Sequence, residues 1–410
     1  MRALAGSTLN ARLYLAFNFL LSLYIGIANV IFNLYLIRLG FGEQYIGLLI
    51  SASLVATGLF AFPAAQCCDR LGSKACLIVS GLLTAISLVL IYTVTSSGLL
   101  LGLSVLNGIF VTIPTVIGSP FLAENTLARD RLHLFSANFG IFIAGSVIGT
   151  ALGGQLPHLC TQLLGLPAGG VDAYRYTLMI SLAMAAASVV PLVFIAERRG
   201  SCPAYTFSDF FGRLARSGTV RQLVLVSCLI GAGAGLIVPF FNVYFNKILQ
   251  ATPGQVGLIF SVAQASLVLG AVGVPYLTGR IGRVKTVSLT YLLSIPFLLL
   301  LAVTDNLYLA GTAYVIRMLF MNISVPISNT FSMEVVDSRD MASVSSLTST
   351  GNNFAIAAGS LVAGLLLARG AYTLPYLAAG GFYTLAAALF FIFFRRHEAA
   401  APEHAEAAAQ

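Results

Sequence analysis

Long apolar runs constrain this chain more than any other feature of its sequence. We count twelve of them, covering residues 13–37, 44–66, 75–95, 99–123, 134–156, 174–195, 221–246, 254–277, 285–303, 308–332, 343–367 and 372–394. Each is close to the roughly 20 apolar residues that an α-helix needs to cross a bilayer. Since backbone polar groups in lipid must be satisfied within the segment, the runs predict an all-α integral membrane protein with twelve transmembrane helices.

The composition excludes a soluble fold. The chain is 58% hydrophobic and only 9% charged, whereas a soluble domain carries about 25% charged residues. Its six cysteines show no spacing typical of metal ligands. No set of nucleophile and base is evident either, so we expect no cofactor, no metal, no disulfide and no enzymatic activity.

The positive charges indicate orientation rather than binding to nucleic acid. The formal net charge is +8, and with the N-terminus inside, seventeen of the 22 Lys and Arg residues fall on the cytoplasmic side. Cations retained on one side set the topology of a membrane protein. We therefore expect both termini in the cytoplasm, a multi-pass protein of the inner (plasma) membrane, and no nucleic-acid partner.

The chain contains two copies of one unit. Residues 31–38 align with residues 240–247, and after a one-residue insertion the offset between the copies is 210 positions. The matched pairs include Asn33 with Asn242, Gly47 with Gly257, Arg70 with Arg280, Gly72 with Gly282, Glu124 with Glu334, Arg129 with Arg339 and Gly149 with Gly359. Matches at one offset in both loops and helices predict two parallel repeats of six helices. Transporters of this organisation bind substrate between the halves and alternate access by rocking them.

The expected domain boundaries follow from the repeat. We predict a cytoplasmic leader at 1–12, six-helix bundles at 13–195 and 221–394, a cytoplasmic linker at 196–220, and a disordered cytoplasmic tail at 395–410.

A short charged loop separates the second and third runs. It reads Asp69-Arg70-Leu71-Gly72-Ser73-Lys74, and it returns in the second copy as Gly279-Arg280-Ile281-Gly282-Arg283-Val284-Lys285. This loop resembles the one between helices two and three of the major facilitator superfamily, and the resemblance covers residues 10–395. Within this family the chain resembles the branch of twelve-helix drug and metabolite exporters. In that family the loop latches the cytoplasmic side in the outward-open state.

The resemblance therefore implies a conformational latch that comprises Asp69, Arg70, Gly72, Lys74, Arg280, Gly282 and Arg283. The second copy departs from the family pattern because Gly279 replaces the acid, which assigns the gating role to the first copy. The alternative is a loop that only sets topology.

Glycines in the fifth run resemble the family's antiporter signature. Gly145, Gly149, Gly153 and Gly154 match it, but Thr150 replaces the signature proline. The resemblance implies export, with protons as a candidate coupling ion. Small residues also allow close helix packing in lipid, so the same glycines are expected to form a packing face.

Arg317 is the only ionisable residue well inside an apolar run. A cation at that depth costs several kcal/mol unless it is paired or hydrated, which marks it as a functional candidate. Its planar fork of donors suits an anionic group of a substrate. The alternative is an arginine that hydrogen-bonds carbonyl groups or pairs with Asp305.

Amides recur on the first and seventh runs, which line the cavity in this family. Asn29 and Asn33 are spaced i,i+4, as are Asn242 and Asn246. We expect them to contact substrate or close the outer gate, and hydrogen bonding between helices is the open alternative. The predicted substrate site comprises Arg317, Asn29, Asn33, Asn242, Asn246, Tyr244, Gln264 and Asn322.

All 14 carboxylates fall in loops or at helix ends, so no buried proton carrier is evident. Glu124 and Glu334 lie at equivalent inner ends, near Arg129 and Arg339. We expect inner-side ion pairs there rather than proton transfer.

The sequence thus predicts a monomeric secondary transporter that moves a small organic solute, anionic or amphipathic, by rocker-switch alternating access. Export is the preferred direction. The alternative is uptake or facilitated transport of an organic anion bound by Arg317.

Overall fold

The structure, a computed structural model, describes residues 8–126, 130–167, 169–196, 217–336 and 341–407. Twelve of the described helices are long and apolar enough to cross a membrane. Their bounds are α1 Leu9–Arg38, α2 Glu43–Leu71, α3 Ser73–Thr93, α4 Ser97–Glu124, α5 Arg131–Leu164, α6 Val171–Val193, α7 Gly218–Lys247, α8 Pro253–Ile281, α9 Arg283–Val303, α10 Leu307–Glu334, α11 Met341–Ala368 and α12 Leu374–Ala407. The prediction of an all-α protein with twelve spans is confirmed.

Helix α7 is not continuous. Its α-helical parts, Gly218–Ile237 and Phe241–Lys247, are joined by one turn of 3₁₀-helix at Val238–Phe240. Pro239 lies in that turn, and proline breaks an α-helix because it lacks an N–H and clashes with the preceding turn. The sequence predicted one uninterrupted run here, so the break is a finding of the structure.

The described residues divide into two compact units. One contains those of Met1–Ala204 together with Phe240–Ala265, and the other those of Tyr205–Pro239 together with Ser266–Gln410. The end of α7 and the start of α8 thus belong to the first unit. The predicted linker at 196–220 falls mostly outside the described residues, and its boundaries stay a prediction.

Among their described residues, the two units share four equivalent helix pairings. In the first unit α1 packs against α5 and α6, and α3 packs against α4 and α6. In the second unit α7 packs against α11 and α12, and α9 packs against α10 and α12. These are equivalent pairs at the repeat offset, so the predicted duplication is confirmed in the packing.

Glycines lie where α5 packs against α1 and where α11 packs against α7. A Cβ on Gly149 of α5 would lie 2.4 Å from the carbonyl oxygen of Leu23 and 3.1 Å from Cα of Gly26 in α1. A Cβ on Gly359 of α11 would likewise lie 3.0 Å from Cα of Gly235 in α7. Backbones that approach this closely leave no room for a side chain, which is how small residues join helices in lipid.

The two charged loops have the same backbone. Gly72 and Gly282 each separate two helices and adopt positive φ values of 90° and 85°. The N–H of each donates to a carbonyl four residues earlier, on Cys68 and Thr278 respectively. A residue with a Cβ is strained at this φ, which explains glycine at both positions.

One buried amide ties together the end of the first unit where the chain enters α1. Asn10 donates through Nδ2 to the side-chain oxygen of Asn125 and to the carbonyl of Ala196, both at 2.8 Å, and accepts from the N–H of Ala196 at 2.9 Å. One side chain thereby joins the start of α1 to the ends of α4 and α6.

Candidate functional site

We call the end of the first unit where α1 ends and α2 begins the rim, and the sequence predicts that it faces outside. Three polar contacts lie at this end or deeper in the unit, and we call them the rim cluster: Asn33 with Asn242, Glu43 with Lys247, and Thr150 with Ser261. Each joins the segment 240–265 to another helix of the same unit.

The amide pair is the most connected of the three. Nδ2 of Asn33 donates to Oδ1 of Asn242 at 3.2 Å, and Nδ2 of Asn242 donates to the carbonyls of Asn29 and Val30 at 3.0 and 3.2 Å. Oδ1 of Asn242 also accepts from the N–H of Val243 at 2.9 Å. Asn33 and Asn242 are buried, while Asn29 is exposed and contributes its backbone. Amide hydrogen bonds therefore join α1 to the end of α7.

The ion pair lies at two helix ends. Lys247, the last residue of α7, donates through Nζ to Oε1 of Glu43, the first residue of α2. The Glu43 side chain is 9% exposed and that of Lys247 is 48% exposed. An acid at a helix N-terminus and a base at a helix C-terminus are each favoured by the helix dipole, so both termini stabilise the charges they carry.

The hydroxyl pair lies on α5 and α8. The oxygens of Thr150 and Ser261 are 2.9 Å apart, and the Ser261 hydroxyl also lies 2.7 Å from the carbonyl of Gly257. The backbones touch beside them, since a Cβ on Gly257 would lie 2.6 Å from the carbonyl oxygen of Thr150 and 2.7 Å from Cα of Gly154.

The chemistry of the rim cluster suits a contact that forms and breaks. A net hydrogen bond contributes about 0.5–1.5 kcal/mol, and a partly exposed ion pair about 0–1 kcal/mol. Water can satisfy the same groups when they separate. Polar pairs of this kind can therefore separate and re-form at little cost in free energy.

A cavity of about 690 Å³ opens beside the rim cluster. The polar residues that line it include Arg38, His158, Gln155 and Asn246, together with the turn that precedes α8. Its size lies within the roughly 300–1,000 Å³ of small-molecule pockets.

Arg317 lies in the second unit and is 1% exposed. Its Nη2 donates to the hydroxyl of Tyr383 at 2.9 Å, and its Nη1 lies 3.5 Å from Sδ of Met318. The guanidinium carbon is 5.7 Å from the centroid of the Tyr383 ring, and Arg317 interacts electrostatically with Tyr314. The cation is therefore held among aromatic side chains of its own unit.

The other predicted substrate residues are dispersed. Asn246 donates to the carbonyl of Ala251 at 2.8 Å and lines the cavity. Tyr244 is buried with its ring edge against Phe245. Gln264 and Asn322 are half-buried, and Asn322 donates to the carbonyl of Met318 within its own helix at 2.8 Å.

The predicted latch is described in part. Arg70, Arg280 and Arg283 are exposed and Lys74 is half-buried, while the side chain of Asp69 lies outside the described set. The Arg280 guanidinium lies 4.4 Å from the ring centroid of Tyr276. The latch role stays a prediction.

The predicted inner-side ion pairs also stay a prediction. Glu124 is exposed at the end of α4. Arg129, Arg339 and the side chain of Glu334 fall outside the described residues.

The helix-five glycines form two faces. Gly145, Gly149 and Gly153 meet α1, where a Cβ on Gly153 would lie 2.9 Å from Cα of Ile27. Gly154 points elsewhere, because its Cβ would lie 2.7 Å from the carbonyl oxygen of Pro253. The last glycine of the pattern thus belongs to the rim.

The sequence analysis missed two of the three contacts of the rim cluster. It assigned no role to Glu43 or Lys247, and it noted Thr150 only as the residue that replaces the proline of the antiporter signature. It assigned no role to Ser261 either. Complementary charge at the paired helix ends, Glu43 and Lys247, was the signal that could have found this contact.

Comparison with known proteins identifies the family. The family model described as Major Facilitator Superfamily matches residues 14–205 and 223–410. No curated protein matches the chain significantly.

Solved transporter structures show the same fold. A crystal structure of a mutant form of the nucleoside transporter NupG superposes with a TM-score of 0.77 at 16% identity, over 94% of this chain and 100% of that one. A bacterial homologue of the human lysosomal transporter Spinster, inward-facing and unoccupied, gives 0.75 at 17% identity over 95% and 97%. The human organic anion transporter MFSD10 gives 0.65 at 18% identity over 93% and 99%. With the family model covering both repeats, this chain belongs to the major facilitator superfamily and is a multi-pass membrane transporter of small solutes, not an enzyme.

Proposed function

We propose that this protein is a secondary active transporter that moves a small organic solute by alternating access, with the rim cluster as its outer gate. The observation that supports the proposal is the set of three separable polar contacts that join the segment 240–265 to the rest of the first unit. A passage that must open in every cycle needs contacts that water can replace, and the rim cluster has this character.

Export across the inner (plasma) membrane, with both termini in the cytoplasm, is the direction and placement we propose. The asymmetry of cations supports the orientation. The glycine pattern of α5 supports export, and Gly154 connects that pattern to the gate. Proton antiport is the coupling mode that follows from the same resemblance.

Locking the gate tests alternating access. Hydroxyl oxygens 2.9 Å apart place Thr150 and Ser261 within reach of a disulfide, whose Cβ atoms lie about 3.5–4.5 Å apart. The double variant Thr150→Cys/Ser261→Cys should lose transport when oxidised and regain it on reduction. The two single variants should transport normally under both conditions.

The transported probe comes from a thermal-stability screen of the purified protein against diverse metabolites and drugs. Its flux is then measured in proteoliposomes with an imposed pH gradient, with protein orientation determined. Continued flux through a protein shown by gel to be cross-linked would overturn the gating proposal. Flux with no accompanying proton movement would rule out antiport, and inward accumulation would reverse the proposed direction.

A second candidate is uptake or facilitated transport of an organic anion held by Arg317. The burial of this cation beside Tyr383 favours this candidate. A guanidinium buried in a membrane protein costs free energy, so its presence indicates a function. A structurally similar protein, human MFSD10, is described as an organic anion transporter.

A further inference from the structure

The Glu43–Lys247 ion pair has an incomplete counterpart in the repeat. Lys247 ends α7 as Arg38 ends α1, and Pro253 begins α8 as Glu43 begins α2. The alignment matches Arg38 with Lys247 and, through the one-residue insertion, Pro253 with Glu43. The cation is therefore present in both copies, whereas the acid is present in only one.

The cavity lies where the missing acid would be. Arg38, Pro253 and the neighbouring Gly254 all line it. Glu43, the equivalent of Pro253 in the first copy, contacts Lys247 through its carboxylate. The duplication thus leaves a space of about 690 Å³ beside an arginine whose equivalent holds a carboxylate.

Arg38 is oriented by an aromatic ring rather than by an acid among the described residues. Its guanidinium carbon lies 5.9 Å from the ring centroid of Tyr174, a buried residue that also lines the cavity. A contact of this kind uses the charge of the guanidinium and not its N–H donors, which suit a planar anion. The Arg38 side chain is exposed and so accessible to a solute.

The remaining polar wall suits an organic molecule rather than a bare ion. The residues that line the cavity include Gln155, Asn246, Gln250, His158 and Thr252. Amides and hydroxyls both donate and accept hydrogen bonds, and few precisely placed polar groups typically orient a ligand in a pocket.

We propose that this cavity is a binding site for a small organic carboxylate, which takes beside Arg38 the place that Glu43 takes beside Lys247. The site lies within the first unit at the rim and is distinct from Arg317. The proposal concerns binding and does not depend on which solute is transported or in which direction.

Glutarate is a suitable probe, with its neutral diamide as the matched control. Titration calorimetry on the full-length protein in nanodiscs of zwitterionic lipid should show binding of glutarate and none of the diamide. Arg38→Gln should weaken glutarate binding by about tenfold or more, the size expected for loss of a charge-assisted contact. Arg369→Gln, which removes an exposed cation of the second unit, should leave the affinity unchanged.

Pro253→Glu provides a second, independent test. It restores the acid of the other copy at the first position of a helix, where acids are favoured, and should occupy Arg38 in place of the ligand. We expect glutarate binding to be lost in this variant while the protein remains monodisperse.

Four results would each overturn the assignment. They are an affinity within about twofold of the original in Arg38→Gln, the same in Pro253→Glu, equal binding of the diamide, and binding of inorganic phosphate but not glutarate. Since no transport is measured, failure here leaves the gating proposal untouched.

Discussion

Asn33 and Asn242, equivalent residues of the two repeats, hydrogen-bond to each other through their side chains at 3.2 Å. An amide carries both donors and an acceptor, so identical amides can pair, whereas identical charges would repel. The duplication thus supplies both partners of a contact at the rim from one ancestral position.

Loss of this pair should loosen the rim. Asn242→Ala removes the acceptor for Asn33 and the donor to the carbonyls of Asn29 and Val30. In a Ser261→Cys background we expect severalfold faster labelling by a membrane-impermeant maleimide from outside, since each net hydrogen bond contributes about 0.5–1.5 kcal/mol.

The matched control for that experiment is Asn107→Ala, which removes an amide that donates to Ser87 at 2.9 Å between α3 and α4. Its labelling rate should equal that of the background. Equal rates for Asn242→Ala and the background would show that the amide pair does not hold the rim closed.

Exchange of the charges tests the ion pair. Lys247→Glu sets two carboxylates against each other and should speed labelling of the same cysteine, and Glu43→Lys should act similarly. The double exchange Glu43→Lys/Lys247→Glu should recover part of the closure, although each charge then opposes its helix dipole. A double-mutant cycle should give a coupling of about 1 kcal/mol because Lys247 is half exposed. Additive single effects would mean that the two side chains do not act as a pair.

The fold was predictable because a lipid bilayer allows few kinds of secondary structure to span it. The lengths of the apolar runs predicted the number of helices, and the 210-residue offset predicted the duplication that the shared helix pairings confirm. The break in α7 could not be placed from hydropathy, because Val238, Pro239 and Phe240 are as apolar as their neighbours. Proline at 239 was the local signal, but prolines such as Pro63 and Pro157 lie inside continuous helices here.

The site was less predictable because burial is a property of the fold. From the sequence, Glu43 is expected to be an exposed acid in a loop. In the structure its side chain is only 9% exposed and pairs with Lys247. Sequence spacing correctly brought Asn33 and Asn242 into consideration, since equivalence in the repeat marks them. It could not show that Thr150 meets Ser261, because neither hydroxyl differs in type from many others on these helices.

The glycine faces of α5 should respond differently to substitution. Gly149→Val places a side chain against the carbonyl oxygen of Leu23 within the bundle, so we expect lower thermal stability and poor expression. Gly154→Val instead obstructs the approach of Pro253 and Gly257, so the protein should fold but fail to close its rim. Detergent-solubilised melting curves and maleimide labelling separate the two outcomes. A stability loss for Gly154→Val as large as that of Gly149→Val would assign Gly154 to structure alone.

Asn10 should be a stability residue without a role in transport. It is 7% exposed and joins α1 to the ends of α4 and α6. Asn10→Ala leaves buried polar groups of Asn125 and Ala196 with fewer partners, a loss of about 1–3 kcal/mol. We expect a lower melting temperature with an unchanged affinity for the transported probe. Asn18→Ala, which removes a half-buried bond to Asn138, should cost less, and a reversal of that order would contradict the assignment.

Arg317 can be tested as a binding residue separately from its contribution to stability. Because it is 1% exposed and donates to Tyr383 at 2.9 Å, an anionic solute must compete with the tyrosine hydroxyl for the guanidinium. If Arg317 binds the solute, Arg317→Ala should abolish the affinity for anionic compounds, and Tyr383→Phe should raise it by about two- to tenfold, the equivalent of one net hydrogen bond. If Arg317 is structural, both variants should lower the melting temperature and leave the affinity unchanged. Titration of the anionic compounds found in the stability screen, with neutral analogues as controls, distinguishes the binding role from the structural one. If Tyr383 only supports packing, removal of its hydroxyl gives no gain in affinity.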